Sequence, residues 1–261
     1  MIDLRQEIDN QEINGIVKQH EKVYVFHLAA EIEVERSMSY PEEYYQSNVV
    51  TTLNVLKLMR DLKIKQLFFA STAAVYAGSG VFKETDTVNP GSFYGITKYL
   101  AEELIKSYTK LFGIKAVIFR FFNVAGGRDT NPTPHHLIPI LIQKKDWFIY
   151  GDDYQTKDGT CIRDYIHVDD ITDAFLLAVN VSSNYEVFNL GSGMGYSVKE
   201  IMAETKIVTK RTPEINVSSR RVGDVDMLVA NIDKAKKRLG FQPKKSLHTI
   251  ISDTLEAYGK N

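Results

Sequence analysis

The sequence predicts an α/β protein, with a doubly wound parallel sheet and a smaller mixed α/β lobe. Three observations support this: short apolar runs without strict alternation, helical stretches between them, and a change of pattern after Val124. The runs are "VYVFHLAA" (23–30), "QLFFAST" (66–72) and "AVIFRFFNV" (116–124). Their density in Val, Phe and Ile suits strands buried on both faces of a parallel sheet. "PEEYYQSNVVTTLNVLKLMRDL" (41–62) opens with proline and acids, as a helix N-terminus does. "SFYGITKYLAEELIKSYTKLFG" is a second helix that stops at Gly113. Strands alternating with helices of this length imply βαβ crossovers and a Rossmann-like sheet.

Beyond Val124 the loop "GGRDTNPTP" leads into "HHLIPILIQ" and the polar stretch "YGDDYQTKDGTCIRDYIHVDD". A helix at about 169–180 and the strand "YEVFNLG" restore the α/β rhythm. "SVKEIMAET" begins with a Ser197…Glu200 capping box, and "NIDKAKKRLGFQP" runs from an Asn231 cap to Gly240. The expected division is 1–124 with 160–192 as the sheet domain, and 125–159 with 193–261 as the smaller lobe.

Composition narrows the function classes. With 261 residues the chain can bury a substantial core, and 44% hydrophobic with 25% charged residues is ordinary for a globular enzyme. A net charge of −1 gives no electrostatic reason to expect nucleic acid or an anionic membrane. A single cysteine, Cys161, excludes an internal disulfide framework and fits a reducing cytoplasm. No apolar run has the length of a membrane span.

Tyr94 and Lys98 form the chain's only Tyr-x-x-x-Lys pair, one helical turn apart on a single face. Chance supplies such a spacing readily, so its surroundings decide. "FFAST" ends a strand with Ser71 and Thr72, which puts their hydroxyls at the carboxyl edge where such sheets bind ligands. A tyrosine near pKa 10 is a poor base at neutral pH. A lysine ammonium one turn away favours the phenolate, and a hydroxyl donor holds the reacting oxygen in line. Thr72, Tyr94 and Lys98 then suit alcohol oxidation with a nicotinamide; the bland alternative is a capped helix with a solvated lysine. "LGSGMG" (190–195) imitates a dinucleotide loop, but its G-x-G-x-G spacing and the lack of a following strand with a ribose-binding acid mark it as a turn.

The stretch "FFASTAAVY…NPGSFYGITKYLAEEL" resembles the catalytic core of the extended short-chain dehydrogenase/reductases. "YGDDYQTKDGTCIRDYIHVDD", with "FRFFNVAG" before it and "FNLGSGMGYSVKEI" and "RRVGD" after it, resembles the UDP-glucose 4-epimerase family specifically. The resemblance implies NAD as cofactor, a UDP-hexose as substrate, no metal, and a homodimer as one assembled form. It implies Tyr94 as base, Lys98 as its tuner and ribose ligand, and Thr72 in the Ser/Thr role. Asp3 and Leu4 match an adenine-side contact, Leu28, Ala29 and Ala30 the loop along the cofactor, and Phe122 the nicotinamide wall. Ser47, Asn48 and Ser71 complete the implied cofactor set. Asn123, His136, Leu137, Tyr150, Arg163, Arg221, Asp224 and Leu228 match the UDP-sugar ligands. Arginines suit a pyrophosphate, which takes forked, planar contacts. Each of these two arginines also has a bland reading, as a surface or ion-paired residue. The His135–His136 pair has no carboxylate or cysteine spacing for a metal.

Nucleotide-sugar dehydratases carry an acid pair after the threonine; here Ala73 and Ala74 follow Thr72, which argues for epimerisation. No G-x-x-G-x-x-G occurs before Val23, and "MIDLRQEI" matches the stretch after the family's third strand. The expectation is a chain lacking the first βα units, with NAD binding weakened by about four orders of magnitude if three or four contacts of ~1.5–3 kcal/mol are gone. "VYVFHLAA" is then an apolar sheet edge that invites association. The alternative function is a non-catalytic UDP-sugar-binding or partner-binding remnant, which cofactor content would distinguish.

Overall fold

The structure is a computed structural model that describes residues 3–6, 8, 11–127, 135–221 and 223–259. Residues 128–134 of the expected "GGRDTNPTP" loop lie outside the described residues. The chain opens with α1 (Gln11–Gln19), β1 (Tyr24–His27), α2 (Val34–Ser39), α3 (Pro41–Tyr44), a π-helical turn (Tyr45–Val50) and α4 (Thr51–Asp61). Next come β2 (Gln66–Thr72), a 3-10 turn (Ala73–Val75), β3 (Gly80–Phe82), α5 (Phe93–Phe112), β4 (Lys115–Phe121) and β5 (Asn123–Ala125). They are followed by α6 (Leu137–Gln143), β6 (Trp147–Tyr150), β7 (Ile162–His167), α7 (Val168–Ala178) and β8 (Tyr185–Leu190). The chain ends with β9 (Gly195–Ser197), α8 (Val198–Thr209), β10 (Ile215–Ser218), β11 (Met227–Ala230), α9 (Asp233–Leu239) and α10 (Leu247–Gly259). These elements form two compact units: residues 1–77, 86–120 and 180–188, and residues 78–85, 121–179 and 189–261.

The first unit holds a four-stranded sheet in the order β1-β2-β4-β8, with β1 parallel to β2. Leu67 to Ser71 and Ala116 to Arg120 are buried without alternation, as strands covered on both faces must be. Leu56 and Met59 of α4 and Ile105 of α5 pack on Leu67, Phe69 and Ile118. β1 has four residues, against the expected run of eight. It stops because Asn48 captures the next turn, accepting from Glu31 N at 2.8 Å and donating to Glu31 O at 3.0 Å. β1 is an outer strand, and Tyr24 and Phe26 on it are exposed.

The helical stretch expected over 41–62 is present, but it widens into the π turn around Ser47 and Asn48. α5 starts where Ser92 accepts from Gly95 N at 3.1 Å and ends at Gly113, which adopts the left-handed conformation. A Cβ on Gly95 would lie 2.4 Å from the Ala74 carbonyl oxygen. Glycine after Tyr94 therefore lets the head of α5 pack directly on the turn beyond β2.

In the second unit β3, β11, β7 and β5 form a sheet that β9 joins antiparallel on β7, and β6 pairs with β10. β7 and α7 lie here and not with the four-stranded sheet, because the partners of β7 are β5, β9 and β11. The sequence had grouped 160–192 with the sheet domain on α/β rhythm alone. Trp147, Ile201 and Ile251 centre the core of this unit. The Ser197–Glu200 capping box forms as expected, while Asn231 accepts from Asp233 N at 3.1 Å, one residue ahead of the helix cap position. Among the described residues no helix is long and apolar enough to cross a membrane.

Candidate active site

Tyr94, on the first turn of α5, is buried, and its backbone N–H donates to Ser37 Oγ at 3.0 Å. Thr72, the last residue of β2, accepts from Ala74 N at 3.1 Å. That leaves the Thr72 hydroxyl hydrogen free to turn towards the Tyr94 oxygen. Burial pushes the Tyr94 phenol up to about 12, and the neighbouring Thr72 hydroxyl offsets only part of this.

Lys98 sits one turn further on, 3% exposed, with Nζ 4.3 Å from the centre of the Phe69 ring. Burial pulls its ammonium down to about 7, opposed by the charge of Glu102. Among the described residues it makes no hydrogen bond or ion pair. Burial is the largest influence on both Tyr94 and Lys98.

Around this pair the polar groups are closely paired. His27 Nε2 lies 3.0 Å from Thr52 Oγ1, which itself donates to Asn48 O at 2.6 Å, so His27 carries its proton on Nε2. Burial first, then the charge of Lys98, pulls His27 down to about 3, and it stays neutral. Asn48 also donates to Thr97 Oγ1 at 3.0 Å, which ties the turn after β1 to α5. Leu28 and Ala29 of that turn are exposed and Ala30 is half-buried. Ser71 is buried, and its hydroxyl donates to Glu102 Oε1 at 2.5 Å. Asp3 is exposed and held by Arg5 at 2.9 Å, while the Leu4 carbonyl accepts from Asn54 at 3.0 Å. Ser47 is half-buried in the π turn.

The second unit holds all eight residues matched to a UDP-sugar. The Arg221 guanidinium lies 3.9 Å over the Tyr150 ring. Arg163 donates to Ile162 O, Val225 O and Asp224 Oδ1 at 2.9, 2.8 and 3.1 Å, and Leu228 stands opposite it in the β7–β11 register. Asn123 stands opposite the buried Tyr165 in the β5–β7 register. Phe122 is buried, its N–H donating to Leu190 O at 3.0 Å. His136 and Leu137 stand at the start of α6; Leu137 packs on the core of this unit.

The "LGSGMG" turn does cradle an anion, but the anion is internal. Asp164 is fully buried and accepts from Ser192 N, Ser192 Oγ, Gly193 N and Ala230 N at 2.7, 2.7, 2.9 and 3.1 Å. A Cβ on Gly191 would meet the Asp164 carboxylate at 2.4 Å. His167, Asp169 and Asp253 cluster closely enough for a metal. However, Asp169 N donates to His167 Nδ1 at 2.9 Å, so Nε2 carries the proton; it stands 3.1 Å from Asp253, off the hydrogen-bond line. Lys245 lies 3.2 Å from Asp169 and 3.8 Å from Asp253, and its ammonium supplies the charge a metal would.

The model of the NAD dependent epimerase/dehydratase family matches residues 4–191. The chain is 40% identical over 269 residues to the UDP-glucose 4-epimerase of Mycoplasma pneumoniae, covering 94% of this chain and 79% of that protein. The chain belongs to the NAD dependent epimerase/dehydratase family. The UDP-glucose 4-epimerase from Brucella ovis in complex with NAD superposes with a TM-score of 0.90 at 31% identity, over 99% of this chain and 84% of that one. The enzyme from Bifidobacterium longum in complex with NAD+ and UDP gives 0.89 at 28%, over 100% and 82%. The Rossmann-like α/β fold expected from the sequence is thus that of the epimerase family.

Sequence reasoning missed the buried ion pair of Glu102 and Arg120, 2.7 Å apart, with side chains 2% and 5% exposed. Two signals pointed to it: Glu102 continues the four-residue spacing of Tyr94 and Lys98, and Arg120 interrupts an otherwise apolar strand. The stacking of Arg220 on Tyr154 at 4.1 Å was missed as well. A Cβ on Gly151 would lie 2.5 Å from the Arg220 side chain, so that glycine makes room for the stack.

Proposed function

We propose that this protein is a UDP-glucose 4-epimerase, interconverting UDP-glucose and UDP-galactose through a 4-keto sugar with bound NAD. The observation that carries the reading is the Thr72–Tyr94–Lys98 group: a buried phenol beside a half-buried hydroxyl donor, with a buried, uncommitted ammonium on its own helix face. As phenolate, favoured once Lys98 is charged, Tyr94 takes the proton of the sugar C4 hydroxyl while the C4 hydrogen departs as hydride; Thr72 holds the reacting oxygen in line. The chemistry that NAD supplies when bound is storage of that hydride and its return to the other face of C4, so no net oxidation occurs. Tyr94 then gives its proton to the C4 oxygen as hydride returns, which regenerates the hydroxyl and the phenolate. Ala73 and Ala74 beyond Thr72 offer no carboxylate for eliminating water, which supports epimerisation over dehydration.

The residues fit NAD. A buried ammonium without a hydrogen-bond acceptor is costly until a ligand completes it, and ribose hydroxyls would do so at Lys98. Leu28, Ala29 and Ala30, in the turn that Asn48 fixes, would run along the dinucleotide, with Asp3 and Leu4 on the adenine side and Phe122 by the nicotinamide. Acceptors brought to Lys98 favour its charged form, and that charge favours the Tyr94 phenolate.

For the UDP group, Arg221 stacks its guanidinium on Tyr150 and keeps its N–H edge for a pyrophosphate. Arg163 is positioned by Asp224 and two carbonyls, and Asn123, His136 and Leu137 complete the proposed substrate set. Leu228 would narrow the sugar site and favour plain hexoses over N-acetylated ones.

The test is conversion of UDP-galactose to UDP-glucose by the protein supplied with NAD, compared with Tyr94→Phe. The proposal expects turnover that the variant lacks. Equal turnover in both would remove Tyr94 from the mechanism.

A further inference from the structure

Tyr94, Lys98 and Glu102 are spaced four residues apart on α5 and share one face. Lysine and glutamate at this spacing ordinarily pair. Here Lys98 and Glu102 form no ion pair among the described residues, although both are buried. The Glu102 carboxylate is engaged elsewhere. Oε1 accepts from Ser71 Oγ at 2.5 Å and from Arg120 Nε at 3.1 Å, and Oε2 accepts from Arg120 Nη2 at 2.7 Å. Arg120 is fixed in turn: Nη1 donates to the Tyr76 hydroxyl at 3.0 Å, and the guanidinium lies 5.0 Å from the centre of that ring. A forked, two-point grip of this kind is one that a lysine cannot imitate.

We propose that Arg120 is a positioning residue that holds the Glu102 carboxylate away from Lys98, so that the Lys98 ammonium stays available to Tyr94 and the cofactor. This rests on the reading of Tyr94 and Lys98 given above and adds what keeps Lys98 uncommitted. Without Arg120, the nearest cation for a buried carboxylate would be Lys98, one turn back on the same helix. The pair would close, and Lys98 would become a structural partner in place of a tuner.

The groups around Lys98 define the test. Tyr94 and Glu102 lie on its own helix, and the neutral His27 faces it from β1. β2 contributes Phe69, Ser71 and Thr72, none of them charged, and the π turn contributes the amide of Asn48. Arg120 on β4 and Tyr185 on β8 act on Glu102. His27 stays neutral well above pH 3, so a change in Lys98 titration between pH 6 and 11 reports the Glu102 side.

The experiment is titration of the Lys98 amine by nitrogen-detected NMR on lysine-labelled protein without added cofactor, with the signal assigned by its loss in Lys98→Arg. In Arg120→Met the midpoint moves up by a unit or more as Glu102 turns to Lys98. An unchanged midpoint in the folded variant overturns the proposal and leaves Arg120 a purely structural partner. If Arg120→Met does not fold, the double variant Glu102→Gln/Arg120→Met decides, since an apolar and amide replacement of a buried pair is well tolerated. Its midpoint stays within a unit of the original, because Glu102 acts on Lys98 only from a distance; a larger fall shows that the two are already closely paired and contradicts the proposal. None of these outcomes depends on turnover, so failure of the epimerase reading registers separately in the Tyr94→Phe assay.

Discussion

The two units treat the polar groups of the proposed site in opposite ways. In the first, Tyr94, Lys98 and His27 are buried, and burial is the largest influence on each: Tyr94 is pushed up to about 12, Lys98 down to about 7 and His27 down to about 3. In the second, Arg221 and Asp224 lie at the surface, and their neighbours are held by stacking and forked hydrogen bonds. The difference separates two tasks. Moving a proton needs groups whose charge is sensitive to what arrives, and desolvation provides that sensitivity. Gripping a pyrophosphate needs permanent charge in a fixed orientation, which surface arginines supply.

Three predictions bear on this contrast. The largest effect is expected at Tyr94. Tyr94→Phe should lower kcat by about 10²–10⁴, the usual scale of general base catalysis, and leave UDP affinity by calorimetry nearly unchanged. A loss of UDP affinity as large as the loss of rate would merge the two tasks and break the contrast.

Arg221→Ala should act the other way round. Removing charge-assisted hydrogen bonds of about 1.5–3 kcal/mol weakens UDP binding roughly 10- to 150-fold, with little change in thermal stability, because the side chain is exposed. Unchanged UDP binding would count against a pyrophosphate at this arginine.

The smallest effect concerns pH. The folded value of His27, about 3, lies below the 6.5 of a solvated imidazole, so the unfolded chain takes up a proton that the native state refuses. Stability contributed by neutral His27 is therefore present above pH 6.5 and lost as pH falls towards 3, by up to about 1.4 kcal/mol per pH unit. Lys98 works in the opposite window. Between about pH 7 and 10.5 the unfolded chain holds the extra proton, so its burial cost is relieved as pH rises through that range. Denaturant melts of His27→Gln and Lys98→Met should flatten the acid and alkaline windows respectively. A wild-type profile with no slope in either window would show these groups to be better hydrated than their burial implies.

The parallel sheet was legible because its central strands are apolar without alternation, and the limits of α5 because Ser92 and Gly113 are local signals. The true end of β1 was not, because it depends on Asn48 reaching Glu31 across 17 positions. The partners of β7 were not legible for the same reason: α/β rhythm says that a strand exists but not which strands it pairs with. At the site, Tyr94–Lys98 is a spacing within one helix and could be read directly. The Ser71–Glu102–Arg120 link joins two strands and a helix and could not, although an arginine inside "AVIFRFF" signalled an unmet need for a partner.

The central claim is that C4 of a UDP-hexose loses and regains its own hydride within one site while Tyr94 carries the proton. UDP-glucose deuterated at C4 tests this directly, incubated in ordinary water with the NAD-supplied protein. The account predicts UDP-galactose that keeps the C4 deuterium, and no product from Tyr94→Phe. Deuterium lost to solvent, or no UDP-galactose from protein that holds NAD, would contradict it.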